Sequence, residues 1–229
     1  MKKLFWLYIP LIAIAVQIAL NLTLPFETLL HLHGEDGPLE FIQFLVIGAA
    51  FITACTIFVK CRKSASKWLL SWIGLAAVCS FYVTFEEISW GQHFLDWGTP
   101  EFWTEVNDQQ ETNFHNTSSW LDQKPRLILE IGVLVGGLIM PLIMKLKPAL
   151  LPARFAIIYP PATLGVVAAV AVFVKIADKI GDKTEMILFE RGSEVIELYL
   201  FYFVLLYLFE MKKRMLPAKQ EETAQKDAA

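Results

Sequence analysis

Side chains that could bind a metal ion or transfer a proton gather in three segments of this sequence, 25–38, 86–126 and 175–194, and just beyond them. All four histidines of the chain fall in the first two segments, at His31, His33, His93 and His115. The candidate functional residues are Glu35, Asp36, Glu40, Glu86, Glu87, Gln92, His93, Asn113, His115, Asn116, Glu190, Glu194 and Glu197.

A mixed set of carboxylates and imidazoles suits Zn²⁺, Mn²⁺ or Fe²⁺, and a bound metal could convert water into a hydroxide nucleophile. We expect the metal ligands to be Glu87, His93, His115 and Glu194. In this hypothesis Glu86 is the general base and Asn113 orients the substrate. The residues do not follow the spacing of an established metal motif such as HExxH.

Some of these glutamates also have a simpler explanation as residues that stabilise helix ends. Glu40 follows Pro38 by two residues and suits the first turn of a helix, where a carboxylate balances the helix dipole. Glu190, Glu194 and Glu197 are spaced to lie on one face of a helix that enters the membrane. Glu197 begins to enter an apolar run, where an ionised side chain needs a partner or a wet cavity.

Capping cannot explain Glu86 and Glu87, because they follow an apolar segment at the end where the helix dipole disfavours an anion. We therefore expect a cation nearby. The seven residues from Glu86 to His93 would place both side chains on one face if the helix continued. Gly91 argues against that continuation.

The segment after this pair is rich in tryptophan, as expected for a helix and loop in the membrane interface. Thr99 and Pro100 are suited to the N-cap and first position of a short helix, with Phe102, Trp103 and Val106 on one side.

Composition places these residues in a membrane protein. Apolar residues make up 55% of the 229 residues and the mean hydropathy is +0.49. The net charge is only −3, and no basic tract with interleaved aromatics indicates nucleic-acid binding. The sequence predicts an all-α, polytopic helix bundle with six membrane spans, at about 4–24, 39–59, 68–85, 127–144, 155–174 and 195–209.

Most of the 20 Lys and Arg residues fall in the loops on one side of these six spans, which predicts that both termini are cytoplasmic. The transmembrane domain would then cover 1–216, followed by a disordered cytoplasmic tail at 217–229. The three functional segments would face the extracytoplasmic side. Pro160 and Pro161 should kink the fifth helix and release carbonyl groups that a polar partner must satisfy.

Two motifs in these segments resemble those of a group of uncharacterised bacterial multi-pass inner-membrane proteins. Glu86 to Gln92 reads EEISWGQ, and Thr112 to Asn116 fits TNxHN. The resemblance also covers the acidic stretch from Glu35 to Glu40. It implies a bacterial inner membrane and a periplasmic face, and it implies no reaction.

Three functions are compatible with this pattern. The first is a metal-dependent enzyme that acts on a membrane lipid or a lipid-linked substrate at the periplasmic face. The second is a non-catalytic platform for envelope assembly, in which the polar residues satisfy one another. The third is a proton- or cation-coupled transporter, which with six helices would work as a homo-oligomer.

Overall fold

The computed structural model describes residues 1–34, 37–95, 97–107, 112–114, 117, 119–184 and 187–216, without the side chains of 93, 119–123 and 182. All regular elements in these ranges are helical. The helices are α1 (Leu4–Thr23, π-helical over its first five residues), α2 (Phe26–His33), α3 (Pro38–Cys61), α4 (Lys67–Glu86), α5 (Gln92–Leu95), α6 (Glu101–Val106), α7 (Ser119–Leu134), α8 (Met140–Leu146), α9 (Gly165–Thr184) and α10 (Gly192–Met215).

Five helical segments of the described chain are long and apolar enough to cross a membrane. They are Leu4–Thr23, Phe26–Cys61, Lys67–Glu86, Lys124–Leu146 and Gly192–Met215. Each contains one of the predicted spans, except that α1 ends one residue before the predicted boundary. The membrane class and the all-helical fold are therefore confirmed, since runs of about 20 apolar residues are what a bilayer selects.

The fifth predicted span, 155–174, is not one continuous helix. Short 3₁₀ turns occupy Ala153–Ile158 and Ala162–Leu164, and α9 begins only at Gly165. The cause is the pair Pro160 and Pro161, which lack the backbone N–H groups that a helix requires. The helix then continues to Thr184, well beyond the predicted end.

The carbonyl groups released at this break are satisfied by side chains of α10, as the sequence predicts. Arg214 Nη1 donates to the carbonyl oxygens of Ile157 and Tyr159, at 2.7 and 2.8 Å. The Tyr207 hydroxyl donates to the Ile158 carbonyl oxygen at 2.9 Å. The interruption is thus a stable part of the fold.

The centre of the bundle is α10, which is buried on several faces by α3, α7 and α9. A helix that is apolar all round is expected at such a position. The π-helical turn Val135–Ile139 between α7 and α8 packs tightly against α9 and α10, because a Cβ on Gly137 would collide with Ala168 and Phe203. Gly132, one turn earlier, has open space around it. Close helix approach therefore depends on Gly137 rather than on Gly132.

Candidate functional site

Five glutamates converge where α3, α4 and α10 meet, and we call them the acidic cluster: Glu40, Glu86, Glu87, Glu194 and Glu197. Glu40 and Glu194 lie in the first turns of α3 and α10, as expected for carboxylates at helix N-termini. Glu86 ends α4 and Glu87 is its C-cap residue. Glu86 and Glu87 are only 3% and 8% exposed.

Glu87 has the most unfavourable environment for a negative charge. Burial raises the pKa of its carboxyl group well above the usual value, and the nearby carboxylates raise it further. In order of effect these are Glu197, Glu40, Glu194 and Glu86. A carboxyl group in this position favours the protonated form or a neighbouring cation.

The expected cation in this region is Arg126, in α7. Its Nη1 lies 2.9 Å from Oε1 of Glu197, and both side chains are about four-fifths buried, with 20% and 19% exposure. Arg126 lines the same small cavity as Glu86, Glu87 and Glu197. We call this space of about 100 Å³ the acidic cavity, and it has room for several water molecules or a small polar group.

Glu86 is bound on both of its carboxylate oxygens. The indole Nε1 of Trp90 donates to Oε1 at 2.6 Å, and the backbone N–H of Phe114 donates to Oε2 at 2.8 Å. The carboxylate thus joins the end of α4 to the segment 112–114. This geometry favours a positioning role for Glu86, while its predicted role as general base stays a prediction.

The polar residues of the two sequence motifs hold each other in a network. Thr112 donates from its backbone N–H to Gln92 Oε1 at 2.8 Å and from its hydroxyl to the Ser89 carbonyl at 2.7 Å. Asn113 Nδ2 donates to Ser89 Oγ at 3.0 Å and Asn107 Nδ2 donates to Asn113 Oδ1 at 2.9 Å. We call Ser89, Gln92, Asn107, Thr112 and Asn113 the loop network. Asn113 is fully buried in it.

The helix does not continue from Glu86 to His93. Ser89, Trp90 and Gly91 have φ angles of 44°, 57° and 105°, which reverse the chain directly after α4. Left-handed backbone is costly for serine and tryptophan, and the loop network holds it in place. The helix therefore ends here, as Gly91 indicates in the sequence, and the condition for a common face of Glu86 and His93 is not met.

Two further local predictions need correction. Glu190 is not on the face of α10, because Arg191 is left-handed with φ 48° and the helix starts at Gly192. The short helix α6 forms as predicted, but Pro100 takes the N-cap position. Thr99 instead accepts a hydrogen bond from Gln92 Nε2 at 2.9 Å.

His33 connects three elements, a role that its sequence position did not reveal. Its Nε2 lies 2.9 Å from Gln17 Oε1 of α1, and its Nδ1 lies 3.0 Å from the carbonyl oxygen of Glu190. The Glu190 backbone N–H also donates to Asn21 Oδ1 at 2.8 Å. Glu190 thus contributes its backbone to a contact between α1, α2 and the start of α10. The available signal was a histidine at the end of a short amphipathic helix, which does not specify a partner.

Several predicted site residues lie outside the described part of the chain. These are Glu35, Asp36, His115, Asn116 and the side chain of His93, and the predicted tail 217–229 is outside it as well. Among the side chains that are described, no three His, Cys, Asp or Glu residues form a group able to hold a metal ion. The metal site stays a prediction, because two of its four expected ligands are not described.

A long apolar cavity adjoins the acidic cavity. It has a volume of about 570 Å³ and lies between α4, α7 and α10. We call it the apolar cleft. Val83, Leu129 and Phe201 line both spaces, so the cleft and the acidic cavity lie side by side.

Two residues that follow members of the acidic cluster along α3 and α10, Gln43 and Tyr199, each contain a buried polar atom. Neither the Gln43 carboxamide oxygen nor the Tyr199 hydroxyl has a hydrogen-bond partner in the described part of the protein. Gln43 follows Glu40 by three residues on α3, and its Nε2 donates to the Glu194 carbonyl at 2.8 Å. An unsatisfied buried polar group costs about 1–3 kcal/mol, and neither residue lines the acidic cavity or the apolar cleft.

Comparisons of the chain with protein-family models, curated proteins and solved structures give no match. The function is therefore inferred from the geometry of the site.

Proposed function

We propose that this protein is a membrane-embedded enzyme that acts on a lipid or lipid-linked substrate at the extracytoplasmic face of a bacterial inner membrane. The observation that carries the proposal is the position of Glu87, buried among four other carboxylates in a cavity that adjoins a long apolar cleft. Titratable groups with strongly shifted pKa values next to a pocket are typical of catalytic sites. The motif resemblance is compatible with this location and adds no reaction.

The proposed chemistry follows from the two ways in which the charge at Glu87 can be balanced. A protonated Glu87 is a general acid that can donate its proton to the leaving group of the substrate while water attacks and takes the place of that group. A divalent metal ion would instead keep Glu87 ionised and activate water, with His93, His115 and Glu194 as the other expected ligands. In both cases Glu197 and Arg126 position polar groups of the substrate, and Glu86 and Asn113 hold the loop.

The proposed topology has six membrane crossings with both termini in the cytoplasm. One observation supports it. The Met1 amine lies 3.1 Å from Oε1 of Glu210 near the end of α10, so the two ends of the described chain lie on the same side of the bundle. The proposed sixth crossing consists of the apolar first half of α9 together with the 3₁₀ turns before it.

The test is conversion of lipids by purified protein in vesicles made from total bacterial inner-membrane lipids, followed by mass spectrometry of the lipids. Wild type should convert at least one lipid, and Glu87→Gln should reduce the conversion at least 100-fold while remaining folded. Glu130→Gln is the matched control, because Glu130 forms an ion pair with Lys175 outside the acidic cavity. Equal conversion by wild type and Glu87→Gln would contradict the proposal.

Elemental mass spectrometry of the same samples separates the two mechanisms. Stoichiometric Zn, Mn or Fe in wild type that is lost in Glu87→Ala and His115→Ala supports the metal-dependent reaction. Conversion by metal-free wild type supports acid catalysis by Glu87.

The loop network favours a second candidate, a non-catalytic platform for a partner in the cell envelope. Ser89, Gln92, Thr112 and Asn113 satisfy one another, which is what a purely structural motif requires. This candidate explains the motif residues but leaves the buried Glu87 without a role. A platform predicts that the lipids stay unchanged and that loop variants lose capture of a partner.

A further inference from the structure

The shape of the apolar cleft matches one hydrocarbon chain of one membrane leaflet. Its α4 wall runs from Trp72 to Val83 along one helix face, with Leu75, Ala76 and Cys79 between them. Eleven residues of helix rise about 17 Å, close to half of a hydrocarbon core about 30 Å thick. The volume of about 570 Å³ is within the range of sites that bind small molecules.

The open space in the cleft comes from the opposite wall. A Cβ placed on Gly132 of α7 meets nothing within 4 Å, so no neighbouring side chain fills this space. The wall residues are almost entirely apolar, and Ile128 and Ile131 beside Gly132 are 72% and 52% exposed. In a membrane such a surface is covered by lipid chains, because an apolar surface offers water no hydrogen-bond partners.

The polar end of the cleft determines which headgroup fits. Glu86, Glu87 and Glu197 line the acidic cavity with Arg126, and Arg126 is already paired with Glu197. Among the described lining residues carboxylates outnumber the guanidinium, which favours a cation over a bare phosphate. A primary ammonium group carries three donors, which suits a site made of carboxylate oxygens.

We propose that the apolar cleft binds one chain of an amine-bearing membrane lipid and that the lipid's ammonium group lies against the carboxylates of the acidic cavity. This inference rests on the proposed function, because it names the substrate class of the same site. It also makes a claim about binding that can be tested without any reaction.

The experiment is native mass spectrometry of delipidated protein, titrated with phosphatidylethanolamine or phosphatidylglycerol of identical chains. Wild type should bind phosphatidylethanolamine at least 10-fold more tightly than phosphatidylglycerol. Gly132→Phe fills the cleft without meeting another atom at its Cβ, and it should weaken binding of phosphatidylethanolamine at least 10-fold. Leu134→Phe is the matched control, because Leu134 is a lipid-exposed residue of α7 that does not line the cleft.

A second variant tests the headgroup separately. Glu197→Gln keeps an oxygen that accepts from Arg126 but removes one negative charge from the cavity, so it should reduce the preference for phosphatidylethanolamine at least 3-fold. Glu130→Gln should leave the preference unchanged. Equal or tighter binding of phosphatidylglycerol, or unchanged binding by Gly132→Phe, would overturn the inference.

The binding results and the conversion assay can fail independently. Loss of conversion in Glu87→Gln without any lipid preference in wild type would overturn this inference and keep the proposed function. A clear preference for phosphatidylethanolamine without conversion of any lipid would keep the binding site and overturn the enzymatic proposal.

Discussion

Neighbouring glutamates at the end of α4 should respond in opposite ways to the same substitution. Glu86 is buried and accepts hydrogen bonds from Trp90 and from the Phe114 backbone N–H, at 2.6 and 2.8 Å, and the Tyr82 side chain also bonds to it. Glutamine keeps one accepting oxygen and presents an NH₂ group to the other donor, so Glu86→Gln loses one charge-assisted hydrogen bond. Such a bond contributes about 1.5–3 kcal/mol. At about 2–4 °C per kcal/mol for a chain of this size, the melting temperature should fall by about 3–12 °C.

Glu87→Gln should instead leave the stability unchanged or raise it, because it removes a buried carboxyl group whose negative charge is disfavoured by the neighbouring carboxylates. The pKa of Glu87 is raised in the folded state, so the folded protein binds the proton more tightly than the unfolded chain. Its contribution to stability is therefore fully present below the usual glutamate pKa and is lost as the pH rises toward the raised pKa. The advantage of Glu87→Gln should grow with pH across that window.

The assay is thermal unfolding in detergent, followed by tryptophan fluorescence at one heating rate and several pH values. Wild type, Glu86→Gln and Glu87→Gln are compared in the same detergent. Equal destabilisation by the two variants at neutral pH would refute the claim that the two residues have different roles, with Glu86 stabilised by its hydrogen bonds and Glu87 destabilised by burial and by the neighbouring carboxylates. A destabilisation by Glu87→Gln that grows with pH would refute the sign of the pKa shift.

Three further predictions use the same unfolding assay. Arg126→Gln should lower the free energy of unfolding by about 2 kcal/mol, because it leaves a mostly buried Glu197 without its guanidinium partner. Lys175→Gln should lower it by less than about 1 kcal/mol, because Lys175 is 38% exposed. Similar losses in the two variants would show that burial does not distinguish the two ion pairs. Gly137→Ala should lower the free energy of unfolding by about 1–3 kcal/mol, because the added Cβ collides with α9. Gly132→Ala should leave the stability unchanged or raise it. A larger loss for Gly132→Ala than for Gly137→Ala would contradict this prediction. His33→Ala should lower the free energy of unfolding by about 1–3 kcal/mol, because it removes the contacts to Gln17 and to the Glu190 carbonyl. The control is His31→Ala, because His31 is exposed. Equal stability of the two variants would contradict the bridging role of His33.

The membrane class and most helix positions could be predicted because hydropathy depends on local composition. The helix start at Pro38 with Glu40 in the first turn also follows from local chemistry and is confirmed. The fifth predicted span, 155–174, is not one helix because Pro160 and Pro161 stop the helix more completely than a kink would. Hydropathy reports how apolar a segment is and not where its hydrogen bonds are interrupted.

The roles within the site depend on tertiary contacts that spacing does not encode. Glu86 and Glu87 are identical residues in sequence terms, yet one meets two hydrogen-bond donors and the other meets carboxylates. Arg126 could have been identified, because it directly precedes the predicted span 127–144 and a charged side chain beside an apolar segment needs a partner. The left-handed turn at Ser89 and Trp90 could not, because those residue types disfavour it and the loop network imposes it.

The central claim is that the acidic cavity and the apolar cleft form one lipid site. The most direct test is an experimental structure of the protein in nanodiscs containing phosphatidylethanolamine, at a resolution that shows lipid chains. The account predicts continuous density from the cleft between α4 and α7 to a headgroup beside Glu87 and Glu197. A cleft closed by direct packing of α4 against α7, with the acidic cavity sealed from the lipid, would contradict it.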